Sequence, residues 1–129
     1  MIRSGLAAAM LGAVISTNAL AQSADFPSKP IRVVVPFAAG SGADGATRVL
    51  AEQMQRIIGQ PMLVENKPGA SGSVAAVHVK SQPADGYTII VGTNSPMSVN
   101  PVVMKNPGYD AVKDFKPVHG IARSVNLWY

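Results

Sequence analysis

One stretch, Ile31 to Gly59, limits most sharply what this chain can fold into. It opens on Ile31-Arg32-Val33-Val34-Val35-Pro36-Phe37, where four of the first five residues are β-branched. Branched side chains pack well on a pleated surface, and a short apolar run of this kind reads as a buried strand. Small residues follow, Ala38-Ala39-Gly40-Ser41-Gly42-Ala43-Asp44-Gly45, and read as a turn. A helical period comes next, with Ala46, Val49, Leu50, Met54, Ile57 and Ile58 near one face. Gly59, with Pro61 beyond it, supplies a stop. The first N–H groups of such a helix have no partner inside it, and its dipole places partial positive charge there. Strand, glycine-rich turn and helix together therefore make a candidate anion site.

The unit recurs. Met62-Leu63-Val64-Glu65-Asn66 reads as a second strand and Lys67-Pro68-Gly69-Ala70-Ser71-Gly72-Ser73 as a second glycine-rich turn. Val74, Val77 and Ser81 then mark a short helix, with Ser71 or Ser73 as its N-cap. Pro83-Ala84-Asp85-Gly86 is a turn, and Tyr87-Thr88-Ile89-Ile90-Val91-Gly92 a third buried strand that delivers Thr93-Asn94-Ser95-Pro96. Two β-turn-α units and a further strand predict an α/β fold with a parallel sheet flanked by helices. Ligands of such sheets bind outside the carboxyl ends of the strands, where all three strands here carry Gly, Ser, Thr or Asn. After Pro101 the periodicity fades. Residues 118–129 are compatible with one more strand, ending on Trp128 and Tyr129.

Residues 1–21 have the pattern of a signal peptide: Arg3, an apolar run from Leu6 to Ile15, and Ala19-Leu20-Ala21 before Gln22. Export to the periplasm is expected, with a polar, extended leader over residues 22–30. Losing Arg3 lowers the net charge from +4 to +3. No Lys/Arg cluster accompanies it, so nucleic-acid binding is not indicated. The chain has no Cys, which excludes disulfides, thiolate catalysis and Cys-ligated metals. His78 and His119 stand alone, with packing or surface roles expected and no metal or cofactor implied. No catalytic constellation can be assembled. Gly40-x-Gly42-x-x-Gly45 with Glu65 matches a dinucleotide fingerprint in spacing, which keeps a nucleotide-binding α/β enzyme domain as the alternative. Asp44 can serve as an N-cap or first-turn acid, or face a ligand directly, and Ser71 and Ser73 present the same choice.

The motifs together resemble a known family. Phe26 to Gly40, Asp44 and Arg48, Gly59-Gln60-Pro61 and Val64 to Gly72 carry the likeness. It continues through Asp85-Gly86-Tyr87-Thr88, Gly92-Thr93-Asn94, Tyr109-Asp110 and Lys113-Asp114-Phe115. The chain resembles the Bug-type substrate-binding receptors of tripartite tricarboxylate transporters. That resemblance implies part of a type II periplasmic-binding-protein-like lobe, truncated, with residues 22–129 forming its N-terminal portion and ending near the crossing between lobes. It implies a receptor rather than an enzyme, holding a small carboxylate and delivering it to membrane components of a transporter or to a sensor protein. The implied ligand positions are Phe37, Ala38, Ala39, Gly40, Ser41, Gly42, Ala43 and Asp44, then Ala70, Ser71, Gly72 and Ser73, with Thr93, Asn94 and Ser95 beside them. Ser41 and Gly45 depart from the family's usual residues. An inactive truncated product is the remaining alternative.

Overall fold

A computed structural model describes residues 26–123. The signal-peptide pattern and the pair Trp128-Tyr129 lie outside the described residues. The first strand, β1, is Ile31–Val35 and leads to helix α1, Gly42–Ile58. Strand β2 is Met62–Asn66. A single 3-10 turn, Ala70–Gly72, leads directly into α2, Ser73–Lys80. Strand β3, Thr88–Ile90, is followed by a π-helical turn, Ser95–Val99, which runs into the short helix α3, Asn100–Val103.

The sheet has the order β2-β1-β3, and both pairings are parallel. β1 is therefore central, which is why Val34 and Val35 are completely buried while β3, at an edge, is half-buried. Strand alternation sends Ile31 and Val33 toward α1, where Ala51, Met54 and Ile58 meet them together with Met62, Val64, Ile89 and Val91. Each such side chain, once fully buried, contributes roughly 1.5–3 kcal/mol, so this cluster anchors α1. On the other face Arg32 of β1 forms a two-pronged ion pair with Glu65 of β2, at 2.8 and 2.9 Å.

The inward face of α1 matches the face read in the sequence only in part: Met54 and Ile58 pack against the core and Leu50 is half-buried. Asp44, Thr47 and Ala51 are buried, whereas Ala46, Val49 and Ile57 are exposed, Ile57 to 82%. Small residues point inward because the helix lies close to the sheet. α2 repeats the pattern: Ser73, Ala75 and Ala76 are buried, while Val74 and Val77 are largely exposed. α1 also begins earlier than the sequence suggests. Ser41 is its N-cap, accepting from the Asp44 N–H at 3.3 Å, so Gly42 to Gly45 are helical rather than part of the turn. At the other end Gly59 takes a left-handed φ of 70° and donates to the Gln55 carbonyl, as the stop signal predicts.

Two connecting segments are reassigned as well. The leader bends around Tyr87 rather than running extended: Phe26 packs on that ring at 5.0 Å and the Ser28 N–H reaches its hydroxyl. Residues 118–123 have no regular structure, so the described part of the expected last strand is absent. Ile31→Ala is expected to cost about 2–5 kcal/mol. Ile57→Ala should stay within about 0.5 kcal/mol of the unmutated chain. Urea denaturation midpoints compare the two, and an equal loss would contradict the helix orientation.

Candidate functional site

All three strands end on the same side of the sheet, and each passes there into a helical turn. The turns meet at one packing point. A Cβ placed on Gly72 would lie 3.1 Å from Pro36 Cβ, at the end of β1, and 3.0 Å from Pro96 Cγ, in the π-helical turn after β3. Pro36 and Pro96 are fully buried, and Gly72 holds a φ of 94°. Glycine is thus favoured here twice over, by conformation and by space. Around this point Ala38, Ala39, Gly40, Gly42, Ala70, Ser71 and Asn94 are exposed, and Phe37, Ser41, Ala43, Thr93 and Ser95 half-exposed.

The turn after β1 is locked by one carboxylate. Asp44 is 3% exposed and accepts from the Gly40 N–H at 2.8 Å, from Arg48 Nε at 3.1 Å and from Asn66 Nδ2 at 2.9 Å. Asn66, the last residue of β2, also donates to the Phe37 carbonyl at 3.0 Å and accepts from Arg48. The Arg48 guanidinium above all, then the Gly40 N–H and the Asn66 amide, lower the Asp44 carboxyl to about 2. Every one of these contacts favours the ionised form. Asp44 is therefore a first-turn acid whose oxygens face protein, and Ser41 does the capping. The Gly42 and Ala43 N–H groups, first in α1, have no acceptor among the described residues.

The turn after β2 is held differently. Neither Ser71 nor Ser73 caps α2; Gly72 occupies that position. Ser73 Oγ is turned inward, accepting from Asn100 Nδ2 at 2.9 Å, while Ser71 is exposed. At the end of β3, Thr93 Oγ1 is buried with no hydrogen-bond partner among the described residues. The helical segment after it escaped the sequence reading. It contains Pro96 and Pro101, which suppress a helical period, and a π-type turn shifts the pattern by one residue. Tyr109, buried beside Phe115, reaches back to donate its hydroxyl to the Pro96 carbonyl. Asn66, Asn100 and Tyr109 act over 13 to 30 residues of sequence, so no local pattern marks them.

This geometry gives the dinucleotide alternative no support. Glu65 is committed to Arg32, and a Cβ on Gly40, Gly42 or Gly45 would meet nothing within 4 Å. The close helix–strand packing that the fingerprint's third glycine permits is missing at Gly45. Among the described residues no group of His, Asp and Glu is placed to hold a metal. His78 lies half-buried on α2, its Nε2 without a hydrogen-bond partner among the described residues. Burial first, then the charges of Lys67 and Arg32, lower its pKa.

Solved proteins share this fold. The periplasmic binding protein BugD is 40% identical with a TM-score of 0.65, over 71% of this chain and 30% of its own. MatC from Rhodopseudomonas palustris, solved with bound malate, is 38% identical with a TM-score of 0.69, over 72% and 32%. Another R. palustris protein, solved with adipate, is 38% identical with a TM-score of 0.65, over 67% and 29%. Fold and turn geometry thus define part of a type II periplasmic-binding-protein-like lobe. Residues 46–127 match the tripartite tricarboxylate transporter family receptor, and the chain belongs to that family. It spans about a third of the length of the curated relatives it matches, between 29% and 36%.

Because the folded Asp44 pKa lies below the 3.8 of a free side chain, its stabilising contribution is complete above about pH 4 and is lost as pH falls toward 2. Asp85, Asp110 and Asp114 are lowered too, so the test is a difference. Stability measured against pH for the unmutated chain and for Asp44→Asn should converge as pH falls from 4 toward 2. Parallel curves would remove Asp44 from the acid response.

Proposed function

We propose that this chain forms one wall of a carboxylate site in an exported receptor serving a tripartite transporter. The observation that carries this reading is the convergence on Gly72 of the segments that follow β1, β2 and β3 at the sheet's carboxyl edge, where α1 and α2 both begin. The Gly42 and Ala43 N–H groups offer donors from the first turn. Ala70 and Ser71 offer the second turn; the Thr93 hydroxyl, unpartnered but buried, stands behind the third. An anion there interacts favourably with both helix dipoles. Phe37, Ala38, Ala39, Gly40 and Ser41 shape the first wall, and Asn94 and Ser95 the third. Asp44 and Ser73 support these walls from behind, and Arg48 balances the Asp44 charge that would otherwise repel the ligand.

Membership of the receptor family makes binding, not bond-making, the chemistry of the site. Malate in one relative and adipate in another make a dicarboxylate the ligand class to expect. The expected location is the periplasm, after removal of residues 1–21. The partners are the transporter's membrane components, or a sensor protein that reads the loaded receptor. A thermal melt of this chain with malate, adipate, citrate or NAD separates the readings. A ligand at a hundred times its Kd adds about 2.7 kcal/mol to the folded state. An upward shift with a dicarboxylate and none with NAD is the expected result. A shift with NAD alone would overturn the reading.

A further inference from the structure

The turn after β2 has the least ordinary backbone among the described residues. Four consecutive residues take positive φ: Gly69 at 137°, Ala70 at 44°, Ser71 at 51° and Gly72 at 94°. Ala70 and Ser71 are the two non-glycine residues with positive φ among the described residues. A Cβ in the left-handed region crowds the following carbonyl, so such residues persist only where the surroundings hold them. Inside the turn, two backbone hydrogen bonds do part of this, Gly72 N–H to the Gly69 carbonyl and Ser73 N–H to the Ala70 carbonyl.

The rest of the hold comes from one side chain. Asn100 Nδ2 donates to the Ala70 carbonyl at 3.3 Å, the Ser71 carbonyl at 3.1 Å and Ser73 Oγ at 2.9 Å. Its two hydrogens serve three acceptors, so one of them is shared. Asn100 is 2% exposed, and water cannot substitute for it easily. It stands where the π-helical turn passes into α3, so its position is fixed by the segment that follows β3. Ser73 Oγ completes the link by donating to Met104 Sδ, at the end of α3, at 3.5 Å. Second and third turns are thus joined by hydrogen bonds as well as by the contact of Gly72 with Pro96.

We propose that Asn100 is a positioning residue for the ligand site: its amide holds Ala70 to Gly72 left-handed and so aims the second turn's N–H groups. Its consequence for binding rests on the carboxylate reading above; its hold on the turn does not. Asn100→Leu keeps the branched, four-heavy-atom side chain and removes both donors. In that variant the strong amide-to-Hα NOEs that positive φ produces at Ala70 and Ser71 should weaken, while NOEs between β1 and β2 persist. Malate affinity measured by calorimetry should fall by about tenfold, the change that 1.4 kcal/mol produces. Adding Ala70→Gly, which removes one crowded Cβ, should recover a large part of that loss.

NOEs that do not change in Asn100→Leu overturn the proposal. A melting temperature lowered with malate affinity intact does so as well, because Asn100 would then serve stability alone. So does an affinity loss that Ala70→Gly leaves untouched. If Asn100→Leu does not fold, the Asn100 side-chain amide protons of the unmutated chain decide: slow exchange with water supports the hold, and exchange at the rate of a free asparagine refutes it. An unmutated chain that binds neither malate nor adipate overturns the carboxylate reading, while the NOE comparison still decides what Asn100 holds.

Discussion

Everything at the carboxyl edge of this sheet depends on the close contact of Gly72 with Pro36 and Pro96. A side chain at residue 72 would be strained by the left-handed backbone and would press on both prolines. The two prolines lack N–H groups, so they can be buried there without leaving donors unpaired. The contact brings the ends of β1 and β3 against the turn after β2. Three segments separated in sequence are brought together at one edge.

Electrostatics then decide what that edge can meet. A helix N-terminus favours an anion, and Asp44 in the first turn of α1 already supplies one. Its charge is not free to fill the site, because Arg48, Asn66 and the Gly40 N–H consume both oxygens. Arg48 is half-exposed and leaves the local balance near neutral. The dipole of α1 therefore remains available to a second anion through Gly42 and Ala43. The same carboxylate ties β1's turn to the end of β2, so structural and electrostatic roles coincide in one residue.

The sequence and the structure agree best where a signal is local. Four β-branched residues in Ile31–Val35, the boundaries of β2 and the Gly59 stop could be read directly, because strand packing and left-handed caps depend on neighbouring residues. The inward face of α1 could be read only through Met54 and Ile58, and that of α2 could not. Hydrophobicity pointed to Val49, Ile57, Val74 and Val77, but the helices sit close to the sheet on Thr47, Ala51, Ala75 and Ala76. Small size, not apolar character, was the deciding property. The helical segment after β3 was hidden by its two prolines and by a π-type turn that breaks the usual spacing.

By itself, the sequence determined the fold class, the parallel order of its units and the glycine-rich turns at the strand ends. These follow from residue-by-residue preferences for strand, turn and helix. Family resemblance extended that reading to the kind of ligand to expect. Tertiary structure alone decided what each polar side chain does. It turned Asp44 and Ser73 inward, gave the cap of α1 to Ser41, and brought Asn66 and Asn100 to turns 22 to 30 residues away. The physical reason is that a hydrogen bond in a buried place is chosen by whichever donor the fold delivers, and sequence spacing carries no record of that delivery.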